Sequence, residues 1–184
     1  MTTTMSYPLL ARALHWATAV LLLVLLGLGI SMTRWVPDDQ KIRVYSWHEW
    51  AGITVFALTA LRLVWRLTHR PPPIDVPAWE KIAAGIVYMA MYLILVAQPI
   101  VGWLMSTAFG FPVVYLGLLP LPAPVSEDRA LAERLQGVHE TLAFVLVALF
   151  AVHLAGVLYH HLVRRDAVLS RMLPSASPPP GGTA

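Results

Sequence analysis

Cysteine is absent from this sequence. That excludes disulfides and iron–sulfur clusters, and it excludes c-type haem, which is attached through Cys-x-x-Cys-His. Charge is scarce. Asp, Glu, Lys and Arg make up 12% of the chain, against about 25% in a soluble domain. Hydrophobic residues reach 58% and the mean hydropathy is +0.66, so the chain reads as an integral membrane protein with the lipid bilayer as its first partner. No basic run of the nucleic-acid-binding kind occurs. The net charge of +3 is read as membrane topology, with no nucleic-acid partner. A cleavable leader is not expected, because the first apolar run is too long and no small-residue cleavage site follows it. No internal repeat is visible. Only SASPPPGGTA at 175–184 is of low complexity, and it is expected to be a disordered tail.

Four apolar segments are long enough to cross a bilayer: about 13–33, 47–66, 82–106 and 138–163. The expected architecture is an all-α membrane protein, a four-transmembrane-helix bundle forming one domain over 1–174. Helix starts are expected near Ser6 with Pro8, at Pro37 followed by Asp38 and Asp39, and at Ser126 with Glu127 and Asp128 in the first turn. Three prolines at 71–73 mark a stiff loop, and the long 107–125 connection is expected to lie on the outer membrane surface. Positive charge sets the orientation. Arg12, Arg62, Arg66, Arg70, Lys81, Arg164, Arg165 and Arg171 fall on one side. Arg34, Lys41, Arg43, Arg129 and Arg134 fall on the other, diluted by Asp38, Asp39, Glu127, Asp128 and Glu133. The positive-inside rule then makes both termini cytoplasmic.

Histidines occupy particular depths in this arrangement. His139 and His153 are fourteen residues apart on the fourth span, almost four helical turns and about 21 Å of rise. They share nearly one face within a hydrocarbon core of about 30 Å. With the expected orientation, His15 falls level with His153 on the inner side and His48 level with His139 on the outer side. Each pair can supply both axial ligands of a haem iron, leaving no open position, which suits electron transfer. The competing explanation for any single histidine is an interfacial anchor or a polar group satisfied by neighbours. It is weakest for His153, about ten residues inside the membrane. A non-haem metal carrier would want clustered ligands, and His69, His160 and His161 form no such cluster in sequence.

Other positions fit a flat cofactor between helices. Gly27 and Gly29 reach the outer depth, Gly52 lies one turn from His48, and Gly156 lies three residues from His153. Ordinary glycine-mediated helix packing explains each as well. Arg62 lies fourteen residues after His48, near inner depth, where it needs an anionic partner such as a haem propionate or else snorkels to head groups. Lys41 lies seven residues before His48. It can meet an outer propionate or a small anion, or remain a solvated charge. Glu49 and Glu140 each follow a candidate ligand and point elsewhere, so no role falls to them. His160, His161, Arg164, Arg165 and Trp16 gather at the inner ends of spans four and one, with His69 nearby. Such a surface suits a quinone head group or propionates, and equally a positive-inside anchor.

Several segments together resemble the bacterial cytochrome b561 family. They are ALHW at 13–16, WHEWAG around His48, RLVWRLTHRPPP at 62–73, and Tyr92 to Trp103 with Pro99 and Gly102. GVHE at 137–140 and HLAGVLYHHLVRRDAVLSRMLP at 153–174 complete the set. The resemblance implies a four-helix cytochrome of the bacterial inner membrane with two haem b groups, ligated by His15 with His153 and by His48 with His139. It departs at Tyr88, where many members carry a histidine about eleven residues before the proline of the third span. The superoxide oxidase-like branch implies that superoxide gives its electron at the outer face and ubiquinone is reduced, which would make the chain an oxidoreductase. Others pass electrons between quinone and membrane or periplasmic redox proteins, so a membrane anchor serving a dehydrogenase is the alternative. A non-haem membrane protein or metal carrier is the third reading. Outer positive charge at Lys41 and Arg43 would steer an anion, weakened by Asp38 and Asp39.

Overall fold

A computed structural model describes residues 6–73 and 75–173. It contains four long helices: α1 (Leu9–Arg34), α2 (Asp38–Thr68), α3 (Ala78–Ala108) and α4 (Arg129–Leu158). All four are long and apolar enough to cross a membrane, and they form the expected four-helix bundle. Three of them begin directly after a proline. Pro8, Pro37 and Pro77 hold φ between −59° and −52° with extended ψ near 150°, so the chain enters each helix from a fixed direction and loses no N–H it would have used. The first three helices run past their apolar segments at both ends, whereas α4 begins nine residues before its own and gives way at Leu158 to the π-helical turn. The fourth does not start at Ser126. Asp128 caps it, accepting a hydrogen bond from the Leu131 N–H at 3.0 Å, and Glu127 instead packs against Gly110, whose φ is +82°.

The end at which α1 begins and α4 finishes is here termed basal, and the opposite one the hairpin end. The α3–α4 connection forms a two-stranded antiparallel hairpin, β1 (Val114–Tyr115) with β2 (Leu119–Pro120). It is pinned to α2, where the Trp50 indole N–H donates to the Val114 carbonyl at 2.8 Å and Thr54 meets the Tyr115 hydroxyl at 3.0 Å. At the basal end α4 passes into a π-helical turn, Tyr159–Arg164, which closes at Arg165 with φ +51°. The following segment folds back on α1. The Trp16 indole donates to the Met172 carbonyl at 2.8 Å, and Arg12 donates to that of Leu173 at 2.6 Å. The 175–184 segment lies outside the described residues.

Large apolar side chains cover the outside of the bundle, among them Val20, Leu23, Ile86, Leu93 and Phe144. In lipid such exposure costs nothing, and helix association comes from close packing instead. The packed interior is small: Leu22, Leu25, Ala51, Val55, Ile94, Leu95 and Leu146. Its position in the bundle separates two sets of polar residues.

Candidate functional site

Each helix contributes two residues fourteen positions apart to these sets: His15 and Gly29 on α1, His48 and Arg62 on α2, Tyr88 and Gly102 on α3, His139 and His153 on α4. The helices alternate in direction, so the eight residues fall into two levels. The basal level holds His15, Arg62, Tyr88 and His153. The hairpin level holds Gly29, His48, Gly102 and His139. Every member of the apolar core lies in sequence between the two residues of its own helix. Fourteen residues of helix separate the levels by about 21 Å.

At the hairpin level the rings of His48 and His139 have centres 6.2 Å apart and are inclined at 68°. Each ring rests on a glycine of the neighbouring helix. A Cβ on Gly29 would lie 3.3 Å from Cε1 of His48, and one on Gly102 would lie 3.2 Å from Cε1 of His139. Each ring also faces a backbone carbonyl one turn before that glycine, Leu25 for His48 and Gln98 for His139, without closing a full hydrogen bond. Both Nδ1 atoms are buried and without a partner. The Gln98 amide donates to the His139 carbonyl at 2.9 Å, which ties α3 to α4 beside the ring.

At the basal level His15 and His153 have ring centres 6.4 Å apart, inclined at 63°. The neighbours here are large and polar rather than glycine. Arg62 Nη2 lies 3.1 Å from His15 Nδ1, and its guanidinium sits over the Tyr92 ring at 5.5 Å. Tyr88 meets His153 edge-on at 6.0 Å. Arg62 thus stands at basal depth as its spacing predicts, and in this structure its partner is an imidazole.

Haem fits these pairs. A metal bonded about 2 Å from each of two imidazole nitrogens holds the ring centres roughly 6 Å apart, and both pairs have that separation. A haem iron takes its four equatorial donors from the macrocycle, so two protein ligands suffice. A bare cation needs more, and among the described residues no group of three or more His, Cys, Asp or Glu is placed to hold one. The unpartnered Nδ1 atoms at the hairpin level stand beside carbonyls that would accept the second N–H of an imidazole bound to iron through its other nitrogen.

Comparison with known proteins decides the family. The family model described as prokaryotic cytochrome b561 matches residues 6–175. This chain belongs to the prokaryotic cytochrome b561 family. Cytochrome b561 homolog 2 of Escherichia coli (strain K12) is 31% identical over 175 residues, covering 93% of each chain. Cytochrome b561 homolog 1 of the same organism is 31% identical over 172 residues, covering 88% of this chain and 93% of its own. The probable superoxide oxidase CybB of Yersinia pestis is 27% identical over 171 residues, covering 91% and 96%. As a cytochrome b561, the protein is a multi-pass haem-binding electron-transport protein of the bacterial inner membrane.

The remaining candidate residues of this cytochrome b561 are placed as follows. Lys41 pairs with Asp38 at 2.7 Å on the solvent side of α2. Of the four glycines singled out in sequence, Gly29 alone packs on a ring; a Cβ on Gly27, Gly52 or Gly156 would meet nothing within 4 Å. Trp16 stands exposed at the basal end, with its N–H donated to the Met172 carbonyl.

Three acids received no role from the sequence, although Glu49 and Asp166 lie inside segments that carry the family resemblance. Glu49 accepts a hydrogen bond from Ser106 at 2.6 Å. Glu80 is buried at the basal end of α3, with Arg164 at 3.3 Å and His160 Nε2 at 3.8 Å. Asp166 lies 2.6 Å from His160 Nδ1. Burial raises the Asp166 pKa. Its contact with His160, the Val168 N–H and the charges of His160 and Arg164 outweigh that and hold it below the ordinary carboxylate value.

Proposed function

We propose that this cytochrome b561 holds two b haems, one between His15 and His153 and one between His48 and His139, and carries electrons from superoxide at the hairpin end to ubiquinone at the basal end. The observation that carries the reading is the pair of level histidine couples with ring centres 6.4 and 6.2 Å apart. When bound, the haems supply reversible one-electron transfer with no open coordination position. The apolar core between the levels excludes water from the span that the electron crosses. Gly29 and Gly102 let the backbones of α1 and α3 approach the hairpin-level rings. Arg62 donates a hydrogen bond at basal depth, to His15 or to a propionate there.

The bundle is oriented with the basal end, and both termini, in the cytoplasm. Eight of the thirteen Lys and Arg residues fall on that side. Lys41 and Arg43 then face the periplasm and attract a small anion, against the opposing charge of Asp38 and Asp39. The overall reaction balances as two superoxide and two protons with one quinone, giving two molecules of oxygen and one quinol. The name of the Yersinia pestis relative supports this donor.

A pulse of superoxide delivered to the oxidised protein in the presence of ubiquinone tests the reading. Haem reduction above the uncatalysed rate, followed by quinol formation, is expected. Two haems per chain with no response to superoxide would instead assign the role of a membrane anchor fed by a dehydrogenase or other redox protein.

A further inference from the structure

The basal end holds a group of ionisable side chains that haem ligation does not use. Glu80 lies in the first turn of α3 and its side chain is 6% exposed. Oε1 accepts from Arg164 Nη1 at 3.3 Å. Oε2 is buried with no hydrogen-bond partner and faces His160 Nε2 at 3.8 Å. The other nitrogen of the same ring, Nδ1, meets Asp166 Oδ2 at 2.6 Å. Asp166 Oδ1 accepts from the Val168 N–H at 3.0 Å, and its side chain is 27% exposed. The Tyr159 ring packs edge-on against His160 at 5.7 Å. One imidazole therefore joins a solvent-facing carboxylate to an interior one through its two different nitrogens.

A purely structural ion pair would not leave a buried carboxylate oxygen unpaired beside an imidazole nitrogen, because such an oxygen costs roughly 1–3 kcal/mol. The gap of 3.8 Å is one that a single water or a small ring rotation closes. His160 itself sits in the π-helical turn, a deformation that frequently re-aims side chains at functional sites.

The position relative to the basal histidines gives the group its purpose. His160 follows His153 by seven residues, the last two of them in the π-helical turn that continues α4, and Glu80 precedes Tyr88 by eight on α3. Both intervals are close to two turns, so the Glu80–His160 contact lies about 11 Å basal of the Tyr88–His153 contact, on the same faces of the same two helices. Electrons and protons can thus meet at one end of the α3–α4 interface.

We propose that Asp166, His160 and Glu80 form a proton-delivery path from the aqueous surface to a quinone head group reduced at the basal end. The inference rests on the quinone reading above. Quinone reduction takes two electrons and two protons. The electrons arrive singly from the donor, two superoxide anions each losing one. For each proton, His160 Nε2–H gives its proton to Glu80 Oε2, and Glu80 passes it to a quinone carbonyl oxygen, where the O–H bond forms. Asp166 passes a proton from water to His160 Nδ1, and a flip of the imidazole ring then turns that N–H toward Glu80, restoring the starting state before the second proton follows. Arg164 holds the far oxygen of Glu80 and keeps Oε2 turned to the ring.

The test uses full-length protein with its haems reduced anaerobically, mixed rapidly with short-chain ubiquinone across a range of pH in water and in deuterium oxide. Wild type is expected to show haem reoxidation that slows in deuterium oxide. Glu80→Gln and Asp166→Asn should each slow it at least about tenfold and flatten its pH profile. Reoxidation by ferricyanide, which takes an electron and no proton, separates this loss from a defect in electron transfer. Independently of turnover, redox difference infrared spectra should show a carboxyl protonation signal in wild type that Glu80→Gln abolishes.

Glu80→Gln and Asp166→Asn proteins that retain haem and match the wild-type quinone rate and pH profile would overturn the relay and leave the quinone reading standing. If Glu80→Gln fails to fold, Asp166→Asn at the solvent side decides the same question. Wild-type haems that ferricyanide reoxidises and quinone does not would overturn the quinone reading, and the relay with it.

Discussion

The two levels of the bundle use the same spacing and different company. At the hairpin level, α1 and α3 contribute glycines and α2 and α4 contribute histidines, so each ring is seated on bare backbone. At the basal level, the positions opposite the histidines hold Arg62 and Tyr88. The ring separations are nearly equal, 6.2 and 6.4 Å, so geometry alone does not distinguish the two. The difference lies in electrostatics and space. The hairpin level has buried imidazole nitrogens without a hydrogen-bond partner, and the charge acting on His139 is the Glu140 carboxylate. The basal level has a guanidinium on one imidazole and a cluster of ionisable groups two turns away. A cation near an iron centre favours its electron-rich state, so the basal level should be the better resting place for an electron. Direction along the wire would then come from the residues that replace glycine.

The strongest way to break this comparison is to remove one of the four histidines proposed to hold haem. His139→Ala should lower the haem content from two per chain to one and leave the basal site intact, and His153→Ala should do the converse. Haem-to-protein stoichiometry and the spectrum of the survivor check this; loss of both from either variant would show that the levels are not separable. A milder change addresses the glycine seats. In Gly102→Ala the new methyl would lie 3.2 Å from the His139 ring, so haem affinity at the hairpin level should fall by about 10- to 100-fold. Tyr88→Phe at the basal level should leave affinity unchanged, and haem titration of the two apoproteins compares them. Arg62→Leu should lower the basal haem potential alone, by on the order of 1 kcal/mol, or roughly 40 mV for one electron. Equal shifts at both levels in a redox titration would refute the assignment.

Acid should loosen the basal end first. The Asp166 pKa is lower in the folded protein than its ordinary value. Its stabilising contribution is therefore complete above the usual carboxylate range and lost as the pH falls through the depressed value. Hydrogen exchange at the Val168 amide, which Asp166 accepts from, should accelerate over that acidic window while amides of the hairpin stay protected. The smallest effect concerns the hairpin end. Trp50→Phe deletes the hydrogen bond to Val114 and should cost about 1 kcal/mol, seen as faster exchange in the β1–β2 segment with both haems retained.

Much of this was legible in the primary structure, because the signals are local. Four apolar runs report four helices, and His139 and His153 on one helix act as a ruler for the other two histidines. Arg62 was legible in depth by the same spacing. Its neighbour was not, since the approach of α1 to α2 depends on packing rather than on either sequence segment. The glycine seats were half-legible. Gly29 stood out by its distance from His15, but Gly27 did too, Gly52 and Gly156 stood out by theirs from His48 and His153, and only the facing ring separates them. The hairpin at 114–120 left little trace, because two-residue strands carry no alternation to read. Glu80, Asp166 and the π-helical turn were invisible for a related reason. Their meaning lies in contacts across 84 and 6 residues, of which the longer joins two different helices.

The repeated fourteen-residue interval has a consequence for how this chain can change its length. Deleting or inserting one residue between the levels of a single helix would turn the residue at one level by about 100° and shift it by about 1.5 Å. That would remove it from its plane while its three counterparts stayed in place. Length variation is therefore confined to the loops, the helix ends and the stretch beyond His153. The π-helical turn, which accommodates extra backbone, lies in that last stretch. The four inter-level segments behave as matched rods that must be cut to one length, and a change in the distance between the levels requires the same edit in all four helices at once.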